Sequence, residues 1–203
     1  MINLSELENS LRRHRPRVTR MEDYPGYRHA AVACILRETP DGPEIFYILR
    51  SHCDADPWSG DIAFPGGHIE VDDDHARFAA ERETLEETGL DLRNATFLGR
   101  LDDLAGAHLS IIVCCFVYLL PMPLSASLQL NAEVHQAFWI PCRDLLDPAR
   151  RRMTTVHFRG ARFERPALDI LGPKHKVLWG ITYRLTAQFL EINGHSLPQT
   201  PIP

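Results

Sequence analysis

The stretch DDDHARFAAERETLEETGL, residues 72–90, constrains this chain more than any other. Asp72 to Asp74 can cap and charge a helix start, no glycine or proline interrupts residues 75–88, and Gly89 suits the left-handed position that closes a helix. The spacing predicts a helix over 75–88. Its last turns carry Glu83, Glu86 and Glu87, related by i+3 and i+4, so three carboxylates share one surface where the helix dipole disfavours negative charge. Each like-charged i,i+4 pair costs about 0.2–0.5 kcal/mol, and each misplaced charge about 0.3–1 kcal/mol. A solvated face tolerates costs of that size. A divalent cation reverses their sign, because Mg²⁺ takes protein carboxylates together with substrate phosphates.

The flanking segments supply strands. RHAAVACILRE and EIFYILRS, from Arg28 onward, are apolar, partly β-branched runs separated by TPDGP, whose Asp41-Gly42 pair signals a hairpin turn. ATFLGRLDD, LSIIVCCFVYLL and AFWIPC read as further strands, and KHKVLWGITYRLTAQFLEI, residues 174–192, as a closing helix. Leu4, Leu7 and Leu11 recur at helical spacing, which predicts an amphipathic helix over 3–13 that ends near Pro16. This order predicts an α/β fold: an α/β/α sandwich on a mixed sheet, with the N-terminal and C-terminal helices packed on one domain. At 203 residues the expectation is a single domain, with a helical extension at 1–25, a main body at 26–193 and a tail at 194–203. The basic cluster ARRRM, 149–153, reads as a loop or helix face.

A net charge of −5 and a pI near 6.0 give no general attraction to nucleic acid or to an anionic membrane, so neither is expected as a partner. Cys34, Cys53, Cys114, Cys115 and Cys142 lack metal-ligand spacing, and an adjacent pair on a regular strand points opposite ways; all five read as reduced core residues. His29, His68, His108 and His135 show no zinc-type spacing, and neither a Walker A loop nor a G-x-S-x-G elbow occurs. The N-terminus lacks a signal-type apolar core, and no run of roughly 20 apolar residues can span a bilayer. A cytoplasmic protein is expected.

The stretch from Gly67 to Leu90 resembles the Nudix box, G-x5-E-x7-R-E-U-x-E-E-x-G-U with U a bulky aliphatic residue. Gly67 matches the first glycine, Arg82-Glu83 the R-E pair, Glu86-Glu87 the E-E pair and Gly89-Leu90 the ending. Asp73 stands at the first acidic position, eight residues rather than seven before Arg82, and Thr84 replaces an aliphatic residue. The longer spacing, the lead-in GDIAFPGG and the late VLWGITYRL resemble the coenzyme A pyrophosphatase-like branch, over roughly residues 28 to 190. The resemblance implies Mg²⁺ or Mn²⁺ on a diphosphate, with metal contacts from the carbonyl of Gly67 and the carboxylates of Glu83, Glu86 and Glu87. It implies that Arg82 orients Glu83; Glu70 and Asp73 are candidate outer contacts to metal or water, though charge at the helix start accounts for Asp73 about as well. Glu133, ahead of the strand carrying Trp139, completes the metal site or accepts the proton of the attacking water; Glu83 is the alternative base. Gly66 and Gly67 also meet the need for close backbone approach at a tight turn.

The implied substrate is a small-molecule nucleoside diphosphate derivative, of the ADP-ribose, nucleotide sugar, dinucleotide or coenzyme A type. Arg50-Ser51 begins that branch's basic signature, but HCDADPWSGD lacks its second arginine, so coenzyme A is not expected to be the best substrate. Trp58, Phe64 and Tyr27 are candidates to stack on a base. Leu4, Leu7 and Leu11, with Trp179, Tyr183 and Phe189, are too apolar to leave in water; they pack on the body or form a homodimer contact. Two rivals are a non-catalytic nucleotide sensor, disfavoured by the three intact glutamates, and an isoprenoid diphosphate isomerase, disfavoured by cysteines placed in strands.

Overall fold

The alternation of apolar residues builds a sheet whose two faces are both covered. The structure is a computed structural model describing residues 3–53, 58–106, 109–121, 127–158, 160–173 and 175–198. Strand β1 (Arg28–Thr39) turns through Pro40 and Asp41 into β2 (Gly42–Arg50). The Thr39 hydroxyl donates to the Gly42 carbonyl and accepts from the Asp41 amide, so the turn centres one residue earlier than the Asp41-Gly42 pair suggests.

Strand β1 is central. Its flanks pair antiparallel with β2 and β4 (Gly66–His68) and parallel with β7 (Ile111–Leu119). Outside it, β3 (Ile62–Ala63) and β8 (Val134–Pro141) pair with β2, while β5 (Thr96–Arg100) and β6 (Leu104–Ala105) pair with β7. The result is a mixed eight-stranded sheet among the described residues.

Period-two alternation sends Ala30, Cys34 and Leu36 to one face and Ala31, Ala33 and Ile35 to the other. Helix α1 (Leu4–Arg13), through Leu7 and Leu11, and α4 (Gly180–Ile192), through Tyr183, Phe189 and Leu190, cover the first face. The buried Tyr47 hydroxyl meets that of Thr186 at 3.0 Å, pinning α4 to the sheet. Helix α2 (Ala76–Thr88) covers the second face through Ala79 and Ala80, whose small side chains permit close approach. Thr84 joins them, fully buried, with its hydroxyl donated to the Ala80 carbonyl at 2.6 Å. Helices on both faces of a mixed sheet are the expected arrangement. The apolar sides of α1 and α4 are spent inside the chain, which removes the argument for a homodimer made from them.

Several local expectations are corrected. The α2 N-cap is His75, whose Nδ1 accepts from the Phe78 amide, because Asp73 is engaged elsewhere. Helix α4 starts at Gly180 rather than 174: Leu178 is held extended by its bridge to Leu168. ARRRM is neither loop nor helix face throughout, since Arg151 opens β9 (Arg151–Phe158), which forms a separate hairpin with β10 (Ala161–Leu168). Cys53 is exposed, while the other four cysteines are buried as expected. A short helix, α3 (Cys142–Leu146), follows β8. Among the described residues no helix is long and apolar enough to cross a membrane.

Candidate active site

The end of α2 meets strand β4 because β4 pairs with β1 directly over the small residues that seat α2. Glu87 is the deepest of the three glutamates, its side chain 2 % exposed. Its Oε2 accepts from the Gly66 amide at 2.9 Å, and its Oε1 lies 3.6 Å from the Arg50 guanidinium. Burial pushes its carboxyl up to about 8, against the opposing pull of the Gly66 amide and Arg50. Glu83 is also raised, by burial before the lowering effect of Arg82. Glu133 adds negative charge that raises both, which places it beside the cluster.

Arg82 is held in a fixed fork. Its Nε and Nη2 donate to the two oxygens of Asp73 at 3.0 and 3.1 Å, and Nη1 donates to Glu83 at 3.0 Å and Glu86 at 3.4 Å. Nη2 also reaches the His68 carbonyl at 3.3 Å. Bidentate pairing of this kind fixes orientation as well as charge. It holds the Asp73 carboxyl below its ordinary range. Arg82 is thus bonded to Glu83 and is itself held by both oxygens of Asp73. Glu70 is exposed and serves the preceding turn, its amide donating to Asp73.

The glycines divide their work differently from the expectation. Ile69 donates to His29 and Ala33 to Pro65, so the antiparallel alternation turns the backbone of Gly67 toward Ala31 and that of Gly66 and His68 away from β1. Gly67 is thus corrected as the source of a carbonyl at the helix end; Gly66 and His68 face it. What Gly67 supplies is space, because a Cβ there would sit 2.4 Å from the Glu83 carboxyl carbon.

The carbonyls that end α2 are tied down by a distant loop. The amides of Gln129 and Asn131 donate to Thr88 and Glu87, and Gly89, at φ +73, closes the helix. Glu133 follows directly, its carbonyl accepting from the Ser51 amide. Gln129 acts here through its backbone amide, which no local signal marks, whereas the side chain of Asn131 also accepts from the Glu133 amide at 2.9 Å.

Of the expected substrate contacts, Arg50 faces Glu87, while Trp58 is half-buried beneath the guanidinium of Arg28 at 5.5 Å. Phe64 is corrected: it is buried and stacks on Tyr47 at 5.1 Å, so neither face is open to a base. Tyr27 is at the surface, edge-on to Tyr24. His108 and residues 54–57 of the signature segment lie outside the described residues.

The donor set suits a hard divalent cation: clustered carboxylates, one almost fully buried and poorly compensated, beside backbone polar groups. Among the described residues no three acidic, histidine or cysteine side chains converge on one point, because Arg82 draws Glu83 and Glu86 to itself.

Comparison with known proteins agrees with this architecture. The chain is 42% identical to an uncharacterized Schizosaccharomyces pombe protein over 113 residues, 52% of this chain but 34% of that protein, so it spans about a third of that relative. It is 28% identical over 173 residues to the mitochondrial coenzyme A diphosphatase NUDT8 of Mus musculus, covering 84% of this chain and 80% of that one. A crystal structure of a MutT/nudix family protein from Enterococcus faecalis shares the fold, with a TM-score of 0.54 at 14% identity, over 95% of this chain and 75% of that one. The NUDIX domain model matches residues 27–159, well over half of the chain, and the protein belongs to that family.

Proposed function

We propose that the protein is a metal-dependent hydrolase that cleaves the diphosphate bond of a nucleoside diphosphate joined to a second moiety. The observation that carries this reading is the buried Glu87, set beside Glu83 and Glu133, where burial outweighs the opposing charges of Arg50 and Arg82. Glu83, Glu86 and Glu87, with a backbone oxygen of Gly66 or His68, would hold Mg²⁺ or Mn²⁺. Such an ion neutralises diphosphate oxygens and lowers the pKa of bound water. Arg82, locked by Asp73, keeps Glu83 in register. Glu133 is assigned as the proton acceptor: it is exposed and has no cation within 4 Å among the described residues, whereas Glu83 shares the charge of Arg82.

The test is a panel of diphosphate compounds with Mg²⁺ and products resolved by mass. Two phosphorylated products from one internal P–O–P bond are expected, with ADP-ribose, nucleotide sugars or dinucleotides preferred over coenzyme A because the basic signature is incomplete. The mouse relative's name makes coenzyme A the necessary comparator. A kcat/KM for coenzyme A tenfold above every other compound, about 1.4 kcal/mol, overturns the preference. Full-rate cleavage in excess chelator overturns the metal requirement, and nucleotide binding without cleavage of any compound favours the sensor.

A further inference from the structure

Among the described residues, Arg28, Arg50 and Arg82 each contact a residue in or beside the candidate site, and they differ in one respect. Arg50 faces Glu87 and Arg82 is locked to Asp73, so both charges are opposed within the protein. Arg28 is exposed, and no described carboxylate lies within 4 Å of it. Its backbone is nonetheless fixed, since its amide donates to the Ser110 carbonyl at 2.9 Å at the very start of β1. Its side chain is also placed. The guanidinium lies over the Trp58 ring, 5.5 Å from its centroid, and Nη1 is 3.5 Å from Nε2 of His68. The carbonyl of that same histidine accepts from Arg82. One residue therefore separates Arg28 from the group that orients Glu83.

A guanidinium braced on an indole ring keeps its N–H edge available, and that edge suits two oxygens of one phosphate. We propose that Arg28, braced by Trp58, is a substrate-contacting residue that binds a phosphate of the nucleoside diphosphate at the mouth of the site. The proposal rests on the hydrolase reading for its kinetic consequence but not for its binding consequence. Bracing reduces the rotamer freedom that a long side chain loses on binding, so Trp58 contributes through Arg28.

Two measurements test it on the full chain. In the first, ADP is titrated calorimetrically into metal-free protein. Arg28→Ala is expected to raise Kd about tenfold, Arg28→Lys to recover only part of that because it keeps charge without the fork, and Trp58→Leu to fall between. In the second, Arg28→Ala is expected to raise KM about tenfold for the best diphosphate substrate while kcat stays within about threefold. Unchanged Kd and KM overturn the proposal, as does a loss confined to kcat. Wild type that binds ADP through Arg28 but cleaves nothing supports the proposal and defeats the hydrolase reading. No ADP binding by wild type at about 10 mM overturns the proposal whatever the kinetics show.

Discussion

Glu87 is the most buried carboxylate of the candidate site, and its protonation affects stability with a definite sign. An unfolded glutamate releases its proton near pH 4.5, whereas in the folded chain burial holds it to about 8. Below pH 4.5 Glu87 is protonated in both states and its full contribution to stability is present. Between these values the folded state holds the extra proton, so stability falls as pH rises and levels off above about 8. At 1.36 kcal/mol per pH unit the loss is about 4–5 kcal/mol. Thermal melts without divalent metal should show this decline, and Glu87→Gln should flatten it and raise Tm at pH 8. The same substitution should lower kcat by orders of magnitude; a variant that keeps wild-type kcat removes Glu87 from the machinery. Mg²⁺ at about a hundred times its Kd should recover about 2.7 kcal/mol of stability by mass action. An unchanged melt up to millimolar Mg²⁺ would leave the helix end merely solvated.

Elements position the residues, and the two glycines of β4 separate structure from activity. At Gly66 a side chain would meet the Ala31 carbonyl at 2.3 Å, and its φ of +144 is strained for any other residue. At Gly67 the nearest atoms an added methyl would meet belong to the Glu83 carboxylate, the end of a side chain rather than backbone. Gly66→Ala should therefore cost about 2 kcal/mol or more in denaturant melts, within the range for backbone strain. Gly67→Ala should cost under about 1 kcal/mol while lowering kcat at least tenfold. Equal Tm losses for the two would contradict this division. The same scale shows what the sequence disclosed. Helix α2 and the β1–β2 hairpin were legible because caps, turn residues and periodicity are local. The β9–β10 hairpin was hidden by its arginines, which masked the alternation of Thr154 and Val156. The start of α4 was misplaced because a distant partner, Leu168, decides the conformation of Leu178. That Glu83, Glu86 and Glu87 share one end of α2 was legible from their spacing, while their assignment to a candidate metal site came from the resemblance. The choice of Gly66 over Gly67 required strand register, and the burial of Phe64 required knowing which face carries Tyr47.

The described fold joins its first and last helices. Leu7 and Leu11 share a core with Tyr183 and Phe189, and Asp102 takes the Arg17 amide at 3.0 Å, its Nε at 2.6 Å and lies 2.9 Å from His14 Nε2. Truncation to start at Tyr24 should therefore expose the first sheet face, lower Tm by several degrees and shift sedimentation toward larger species. Unchanged Tm and mass distribution would show the extension to be dispensable. This closure also sets an order of events on the ribosome. Helix α1 leaves the tunnel before the strands and helices that cover it, and α4, which completes its berth, is synthesised roughly 170 residues later, on the order of ten to thirty seconds at cellular rates. Throughout that interval Leu7 and Leu11 lack the cover that α4 gives them, and protease sensitivity of stalled nascent chains should persist at residue 13 until the segment through Ile192 has emerged.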